Sequence, residues 1–309
     1  MSWTIFPERA DRYPAPREDP LKYPGERPPT GFILANRMVW PIIYSEKDKG
    51  SVGATSSGRV LLDSSGESVT INKFLESRKA VPLQERFAVI GYGSNPVPGQ
   101  LLSKFGAEAV VPVIFGTLKN SDVVYNLISN MGYAFAEIII GEESTEGNVG
   151  VTFLDHQQLL TMVKTEQNYH LAYSPSEVRL ESGEQLPGGK GNALYIFAGF
   201  RKIWVPSGYN GPIPIAERPS PGRKRKPLTQ IETLSLVIEQ FNLGALGIHT
   251  PCKLAQRIKE QAQLEEKPGK LKYDLQKAVE EDPRSFPSLA DSLTLVENSS
   301  LPPKPFGAN

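Results

Sequence analysis

The stretch GYGSN, residues 91–95, follows directly on the apolar run FAVI, residues 87–90. The apolar run is typical of a buried β-strand, and Gly93 permits a tight turn or the close approach of another group. Ser94 and Asn95 carry short polar side chains that bond to nearby backbone groups. Two interpretations follow: an ordinary turn from a strand into a helix, or a small pocket whose backbone N–H groups bind an anion or an amide.

The composition is that of an ordinary globular chain, and 309 residues suffice for one large domain or two smaller ones. Its 34 Lys and Arg residues balance 34 Asp and Glu residues, so the net charge favours neither nucleic acid nor an anionic membrane. The single cysteine, Cys252, excludes an intrachain disulfide and a cysteine-rich metal site. Residues 1–19 have no signal-peptide core, and YAFAEIII (133–140) is too short to span a bilayer. We therefore expect a cytoplasmic protein without nucleic-acid or membrane partners.

Proline and glycine divide the chain into regions. Residues 1–85 are expected to form an N-terminal extension, partly extended or disordered, because residues 7–30 combine seven prolines with many charges. Strand-like segments dominate the next region, and a breaker-rich linker or surface strap follows it. Apolar residues at helical spacing then predict three helices. The predicted regions after the extension are 86–205 (strand-rich domain), 206–227 (linker), 228–298 (helical C-terminal region) and 299–309 (tail).

The strand-like segments are rich in Val, Ile, Phe and Tyr and end at Gly, Ser or Asn. Helices within this region are predicted only at 155–166 and near 99–105. Mostly consecutive strands with few helices indicate an α+β fold with a mixed or barrel-like sheet, and not a doubly wound one. The predicted strands are 38–45, 59–63, 86–92, 109–117, 123–128, 134–140, 148–154, 177–182 and 192–198.

The helix predicted over residues 155–166 carries a carboxylate at its end. Asp155 and Gln158 stand at the spacing of a capping box, which marks the start of a helix. One face then holds residues at steps of three and four, namely Leu159, Met162, Val163 and Glu166. At Glu166 the negative end of the helix dipole and partial burial both favour a neutral carboxyl, which suits a group that takes and returns a proton. Alternatively, the helix ends earlier and Glu166 points to water.

Taken together, the two stretches resemble the gamma-glutamylcyclotransferase-like superfamily. Its signature begins with a strand that runs into YGSN, which stands here at Tyr92, Gly93, Ser94 and Asn95. The rest of the signature is matched, in order and spacing, by GYAFAEIII (132–140), GVTFLDHQQLLTMVKTE (150–166), SEVRLES (176–182) and NALYIFAG (192–199). The resemblance covers about residues 86–200.

Three positions depart from the family pattern. Pro96 follows YGSN, where family members usually have Leu or Met. Val163 and Gln167 stand where many members have an acidic residue and a glycine near the catalytic glutamate. The path of the chain after Glu166 is therefore the least certain part of the comparison.

The resemblance implies a small mixed barrel with flanking helices and Glu166 as the acid/base. It also implies that the YGSN turn binds the carboxylate end of a gamma-glutamyl group. We expect Tyr169 and Tyr195 to line the same pocket, although each is alternatively a core aromatic. The implied reaction cyclises a gamma-glutamyl amine or peptide to 5-oxoproline, releases an amine and needs no metal or cofactor.

Two other functions remain open. One is a non-catalytic module that holds a small carboxylate ligand while the terminal extensions dock a protein partner. The other is a related amide-cleaving enzyme on the same scaffold. Three other motifs do not predict a function. Ser94 lacks the G-x-S-x-G elbow of a serine nucleophile, and GEQLPGGKG (183–191) suits a hairpin loop better than a phosphate loop. RKRK (223–226) is interpreted as a solvated linker.

Overall fold

The computed structural model describes residues 5–47, 49–51, 53–264, 269–296 and 306. These residues form an α+β structure with one large mixed sheet, a separate two-stranded hairpin and flanking helices. The strands are β1 (Glu8–Arg9), β2 (Phe32–Ala35), β3 (Met38–Ile43), β4 (Arg59–Leu61), β5 (Ser68–Thr70), β6 (Phe87–Gly91), β7 (Val111–Lys119), β8 (Ser121–Ile128), β9 (Ala134–Ile140), β10 (Glu146–Leu154), β11 (Tyr169–Tyr173), β12 (Val178–Leu180), β13 (Gln185–Leu186) and β14 (Leu194–Gly199).

The helices are α1 (Ala54–Ser57), α2 (Ile71–Ser77), α3 (Pro98–Phe105), α4 (His156–Thr165), α5 (Gln230–Gln240), α6 (Pro251–Leu264) and α7 (Lys270–Glu281). Short 3-10 turns cover Ala10–Arg12, Pro20–Lys22, Leu83–Glu85, Leu243–Leu246 and Ala290–Ser292. Within the part of the chain that the structure describes, no helix is both long enough and apolar enough to cross a bilayer.

The large sheet has the strand order β11-β14-β6-β10-β7-β2-β3-β4-β5, and this path does not close within the described residues. β14 pairs with β6 in parallel, whereas β10 is antiparallel to both β6 and β7. Alternation along β6 sends Ala88 and Ile90 into one core and Phe87 and Val89 into the other. The end of β6 therefore emerges between two packed layers.

Most of the predicted elements are present, with shifted ends. Helix α4 has the predicted capping box: the Gln158 N–H donates to Asp155 Oδ1 at 2.9 Å, and the Asp155 N–H donates to Gln158 Oε1 at 3.1 Å. Five strands were not predicted, namely β1, β2, β5, β11 and β13. Each has at most five residues, which is too short for an alternating pattern to be distinguished.

The N-terminal extension is built into the sheet and is not a separate extended or disordered segment. β2 pairs with β7, and so the sheet crosses the predicted domain boundary between residues 85 and 86. Tyr13 and Tyr23 are buried. The Gly99 N–H donates to the Tyr13 carbonyl at 2.9 Å, which ties the proline-rich chain to α3. Proline lacks an N–H, so such a segment packs against a core without unsatisfied donors.

The predicted linker is a strap whose side chains enter the core. Ile213 and Ile215 are buried. Arg223 forms a buried ion pair with Asp122 at 2.7 Å, so the interpretation of RKRK as solvated is wrong at this residue. A neighbouring pair joins Arg225 to Glu142 at 2.8 Å. These contacts attach the strap to the hairpin of β8 and β9 and to the turn after it.

The C-terminal helices pack on the same core. Leu234 of α5, Leu254 and Ile258 of α6, and Leu275 of α7 belong to the cluster that also contains Ile90 of β6. The predicted tail, residues 299–309, lies outside the described residues except for Phe306. That ring packs edge-on against Phe153, with a centroid distance of 5.1 Å.

Candidate functional site

A cavity of about 190 Å³ lies where β6 ends, bounded by α3, by the end of α4 and by the hairpin of β8 and β9. Six of the seven predicted site residues line it, namely Tyr92, Gly93, Ser94, Asn95, Glu166 and Tyr169. The turn and the acidic residue, which are distant in the chain, thus meet around one small space.

Tyr195 is the exception, and its expected place in the pocket is wrong. It does not line this cavity. Its side chain is fully buried in the other core, with Phe87 and Val89, and its ring lies 5.5 Å from that of Tyr173. Phe197, two residues later on β14 and in the same core cluster, does line the cavity, so Tyr195 is set apart by its position along the strand.

The YGSN turn is a turn from a strand into a helix, the first of the two interpretations of its sequence. It connects β6 to α3, and the Val97 N–H closes it by donating to the Ser94 carbonyl at 2.9 Å. It also lines the cavity. Glycine is required at position 93, because a Cβ there would lie 2.5 Å from Tyr23 Oη and 3.0 Å from Ala136 Cβ.

Two arginines hold the carbonyl groups of this turn. Arg27 Nη2 donates to the carbonyls of Tyr92 and Gly93, both at 3.3 Å, and Arg218 Nη2 donates to the Gly93 carbonyl at 3.3 Å. Arg218 is buried, and burial lowers its pKa to about 10, so it remains charged at neutral pH. Sequence reasoning missed both arginines, since they lie in segments interpreted as extension and linker.

The N–H groups of the same turn are free. Within the described residues, the backbone N–H groups of Gly93, Ser94 and Asn95 have no hydrogen-bond partner. Successive unpaired N–H groups at a cavity wall form a nest that binds a carboxylate or another anion.

Glu166 caps the C-terminal end of α4 and does not point to bulk water. Its N–H donates to the Met162 carbonyl at 3.1 Å, and its side chain is 13% exposed. Its carboxylate forms an ion pair with the ammonium of Lys104, whose side chain is 3% exposed. Lys104 Nζ also donates to Asn95 Oδ1 at 3.0 Å. One lysine therefore links the turn to the candidate acid/base.

The ion pair is a contact that sequence reasoning did not include. That reasoning considered only the helix dipole and burial at Glu166 and missed the ammonium of Lys104 as its partner. A signal for this lysine was available, since it lies in the last turn of the helix predicted near residues 99–105.

Tyrosines form much of the remaining wall. The Tyr169 hydroxyl donates to the Ala136 carbonyl at 2.7 Å, and the Ala136 N–H donates to Tyr23 Oη at 2.7 Å. The rings of Tyr23 and Tyr133 stack with centroids 4.3 Å apart. Burial and the charge of Glu166 raise the pKa of Tyr133 to about 12. These hydroxyls therefore keep their protons at neutral pH.

The hydroxyl of Tyr23 is available as a hydrogen-bond donor. Its oxygen accepts from Ala136, but within the described residues its own O–H has no acceptor. Its pKa is raised, mainly by burial, with the negative charge of Glu166 as a smaller cause. The side chain can therefore donate a hydrogen bond to an oxygen atom of a ligand.

A second carboxyl lies behind the cavity wall. Glu137 is fully buried, and burial raises its pKa to about 7. Tyr92 Oη lies 2.6 Å from the Phe197 carbonyl and 3.0 Å from Glu137 Oε1. A hydroxyl has one proton, which Tyr92 shares between these two acceptors. Glu137 Oε1 also accepts from the Ile138 N–H at 3.1 Å, whereas its buried Oε2 has no hydrogen-bond partner among the described residues.

Among the described residues, no group of three or more His, Cys, Asp and Glu side chains is placed to hold a metal ion. Comparison of the chain with protein-family models, with curated proteins and with solved structures finds no match. The evidence for a function is therefore the geometry and the charges of the cavity itself.

Proposed function

We propose that the cavity is the active site of a gamma-glutamylcyclotransferase-like enzyme. The reaction would convert a gamma-glutamyl amine or peptide into 5-oxoproline and a free amine. One observation carries this proposal: the carboxylate of Glu166 and the unpaired N–H groups of Gly93, Ser94 and Asn95 line one cavity of about 190 Å³. An acid/base and an anion nest are the two groups that this chemistry requires.

The substrate binds with its α-carboxylate on the N–H groups of the turn. This contact places the α-ammonium near Glu166, which takes one proton from it. The free amine then attacks the γ-carbonyl carbon and closes a five-membered ring. Holding the folded conformer lowers the barrier by roughly 7–11 kcal/mol, since the reacting atoms are already in place.

The second step breaks the bond between the γ-carbonyl carbon and the departing nitrogen. Glu166 returns its proton to that nitrogen, and the amine leaves. The carboxylate of Glu166 then takes the remaining extra proton from the ring nitrogen and passes it to the freed amine, which departs as an ammonium. One C–N bond forms and one breaks, and neither water nor an electron carrier is consumed. The free O–H of Tyr23 and the turn N–H groups are the donors for the oxygen that becomes negative during ring closure.

Lys104 supports this role for Glu166 by position. Its ammonium pairs with the carboxylate and also donates to Asn95, so it holds the candidate acid/base beside the turn. The open mixed sheet, with the hairpin of β8 and β9 beside it, corresponds in this proposal to a divergent form of the mixed barrel of the family. A cytoplasmic location belongs to the same proposal.

The second candidate is a non-catalytic module that binds a small carboxylate ligand. The observation that favours it is the ion pair itself, because Lys104 engages the carboxylate that the reaction needs. In addition, Arg17 and Tyr23 of the N-terminal extension line the cavity. In this alternative the terminal extensions dock a protein partner.

The test is release of 5-oxoproline from a panel of gamma-glutamyl amines and dipeptides. We expect release by the wild-type protein and a loss of at least about 100-fold in Glu166→Gln, the order of a general acid/base contribution. Glu177→Gln, in a surface ion pair with Lys119, is the matched control and should keep full activity. Ligand binding without release from any compound would reject the enzyme in favour of the binding module.

A further inference from the structure

Arg17 is a cation at the cavity wall whose side chain has no hydrogen-bond or ion-pair partner among the described residues. It belongs to the N-terminal extension, lies outside the stretch that resembles the family, and lines the same cavity as Glu166. Within the described residues its buried Nε has no hydrogen-bond partner. No carboxylate of those residues forms an ion pair with it either. A half-buried guanidinium in this state has donors available for a ligand.

The backbone at Arg17 is held in place from both sides. Lys259 Nζ of α6 donates to the Arg17 carbonyl at 2.9 Å. The Glu18 N–H closes a turn by donating to the Ala15 carbonyl at 2.9 Å, and α3 holds Tyr13 just before it. Elements from the middle and from the C-terminal part of the chain thus fix an N-terminal residue at the site.

Arg17 and Lys104 both line the cavity, but only Lys104 pairs with Glu166. The pKa of Tyr133 is raised by burial and by the charge of Glu166, and the positive charge of Arg17 lowers it. Tyr133 stacks on Tyr23, which contacts the turn at Gly93. Of the charged side chains that line the cavity, two are cations and one is an anion. The cavity therefore carries an excess positive charge that the Lys104–Glu166 pair does not neutralise.

We propose that Arg17 forms an anion subsite that binds a carboxylate on the amine portion of the ligand, beyond the gamma-glutamyl group. The inference rests on the proposed function, which places the gamma-glutamyl α-carboxylate on the turn. A guanidinium binds a carboxylate through paired, charge-assisted hydrogen bonds. Compounds whose released amine is an amino acid are then preferred, and those with a neutral or cationic amine are disfavoured.

Two ligands that differ in one group test the subsite, gamma-glutamylglycine and gamma-glutamylglycinamide. The first carries a carboxylate where the second carries a neutral amide. KM and kcat are measured if 5-oxoproline is released, and Kd by calorimetry if it is not. The proteins are wild type, Arg17→Gln, Arg17→Lys and the control Arg9→Gln, whose side chain is exposed and paired with Asp11.

We expect the wild type to prefer gamma-glutamylglycine by about 10- to 100-fold in KM or Kd, the range for a hydrogen bond between charged groups. Arg17→Gln should lose this preference and keep its affinity for the amide, which also shows that the variant is folded. Arg17→Lys should keep part of the preference, and Arg9→Gln all of it.

The outcomes separate this subsite from the proposed reaction. If Arg17→Gln loses the preference but no protein releases 5-oxoproline, the subsite stands and the enzyme proposal fails. If 5-oxoproline is released and the wild type treats both ligands alike, the subsite is rejected and the enzyme proposal stands. A preference that persists in Arg17→Gln also rejects it.

Discussion

The ammonium of Lys104 and the carboxylate of Glu166 form a nearly buried ion pair that joins the end of α3 to the end of α4. Lys104 also reaches Asn95, so it connects the two motifs on which the family resemblance depends. Both helices start close to strands of the central sheet, α3 after β6 and α4 directly after β10. Because β6 and β10 are adjacent, their helices bring the two charges together.

Replacing Lys104 by Met should lower 5-oxoproline release by about 10- to 100-fold. Without the ammonium, the carboxylate of Glu166 loses the ion pair that holds it in position, and a misplaced catalytic group loses rate. The measurement is kcat/KM for both proteins, with Lys164→Met of α4 as the control. An unchanged kcat/KM in the Lys104 variant would show that the pair does not position the base.

Gly93→Ala should destabilise the protein and weaken ligand binding. The added Cβ would lie 2.5 Å from Tyr23 Oη, and such overpacking costs about 1–3 kcal/mol. Tyr23→Phe removes the oxygen atom with which the added Cβ would clash. The double variant should therefore lose less stability than the sum of the losses in the two single variants. Denaturant unfolding of all four proteins measures this. Additive losses would contradict the close contact.

Glu137→Gln should change the pH dependence of stability. Burial raises the pKa of Glu137 from 4.5 to about 7, so between these values the native state holds a proton that the unfolded state has lost. Its contribution to the free energy of unfolding is therefore largest below about pH 4.5 and is lost as pH rises through about 7.

The glutamine variant cannot lose this proton, so relative to wild type it should gain up to about 3 kcal/mol between pH 4.5 and pH 8. Unfolding by urea across this range measures the difference. Glu181, whose pKa burial also raises to about 7, gives a comparison variant whose carboxylate accepts from the Gly31 N–H instead of lying beside Tyr92 Oη. Parallel curves for wild type and Glu137→Gln would mean that Glu137 is charged in the folded protein.

Asp122→Ala should be strongly destabilising, because it leaves Arg223 buried without its counter-ion. Breaking a buried pair by removing one partner costs about 3–5 kcal/mol. Glu177→Ala, which breaks the exposed pair with Lys119, should cost at most about 1 kcal/mol. Thermal or urea unfolding compares them. Equal small losses would show that the strap is attached by its apolar side chains alone.

Much of the secondary structure could be predicted from local sequence patterns. The apolar run before GYGSN, the capping box of Asp155 and Gln158, and the helical spacing after residue 228 each encode their element within a few neighbouring residues. The structure of residues 7–30 could not be predicted in this way. Prolines and charges indicate only that the chain avoids helix and sheet, and they do not indicate what the extended chain packs against.

The sequence alone was sufficient to indicate the strand and turn at 87–95, the helix that ends at Glu166 and the α+β class, because these depend on the order of residues close together in the chain. Tertiary structure was needed to show that Lys104 pairs with Glu166, that Arg17 and Tyr23 reach the same cavity, and that Tyr195 does not. Those facts depend on which strands become neighbours and on the register in which they pair, and both are set by packing across the whole molecule.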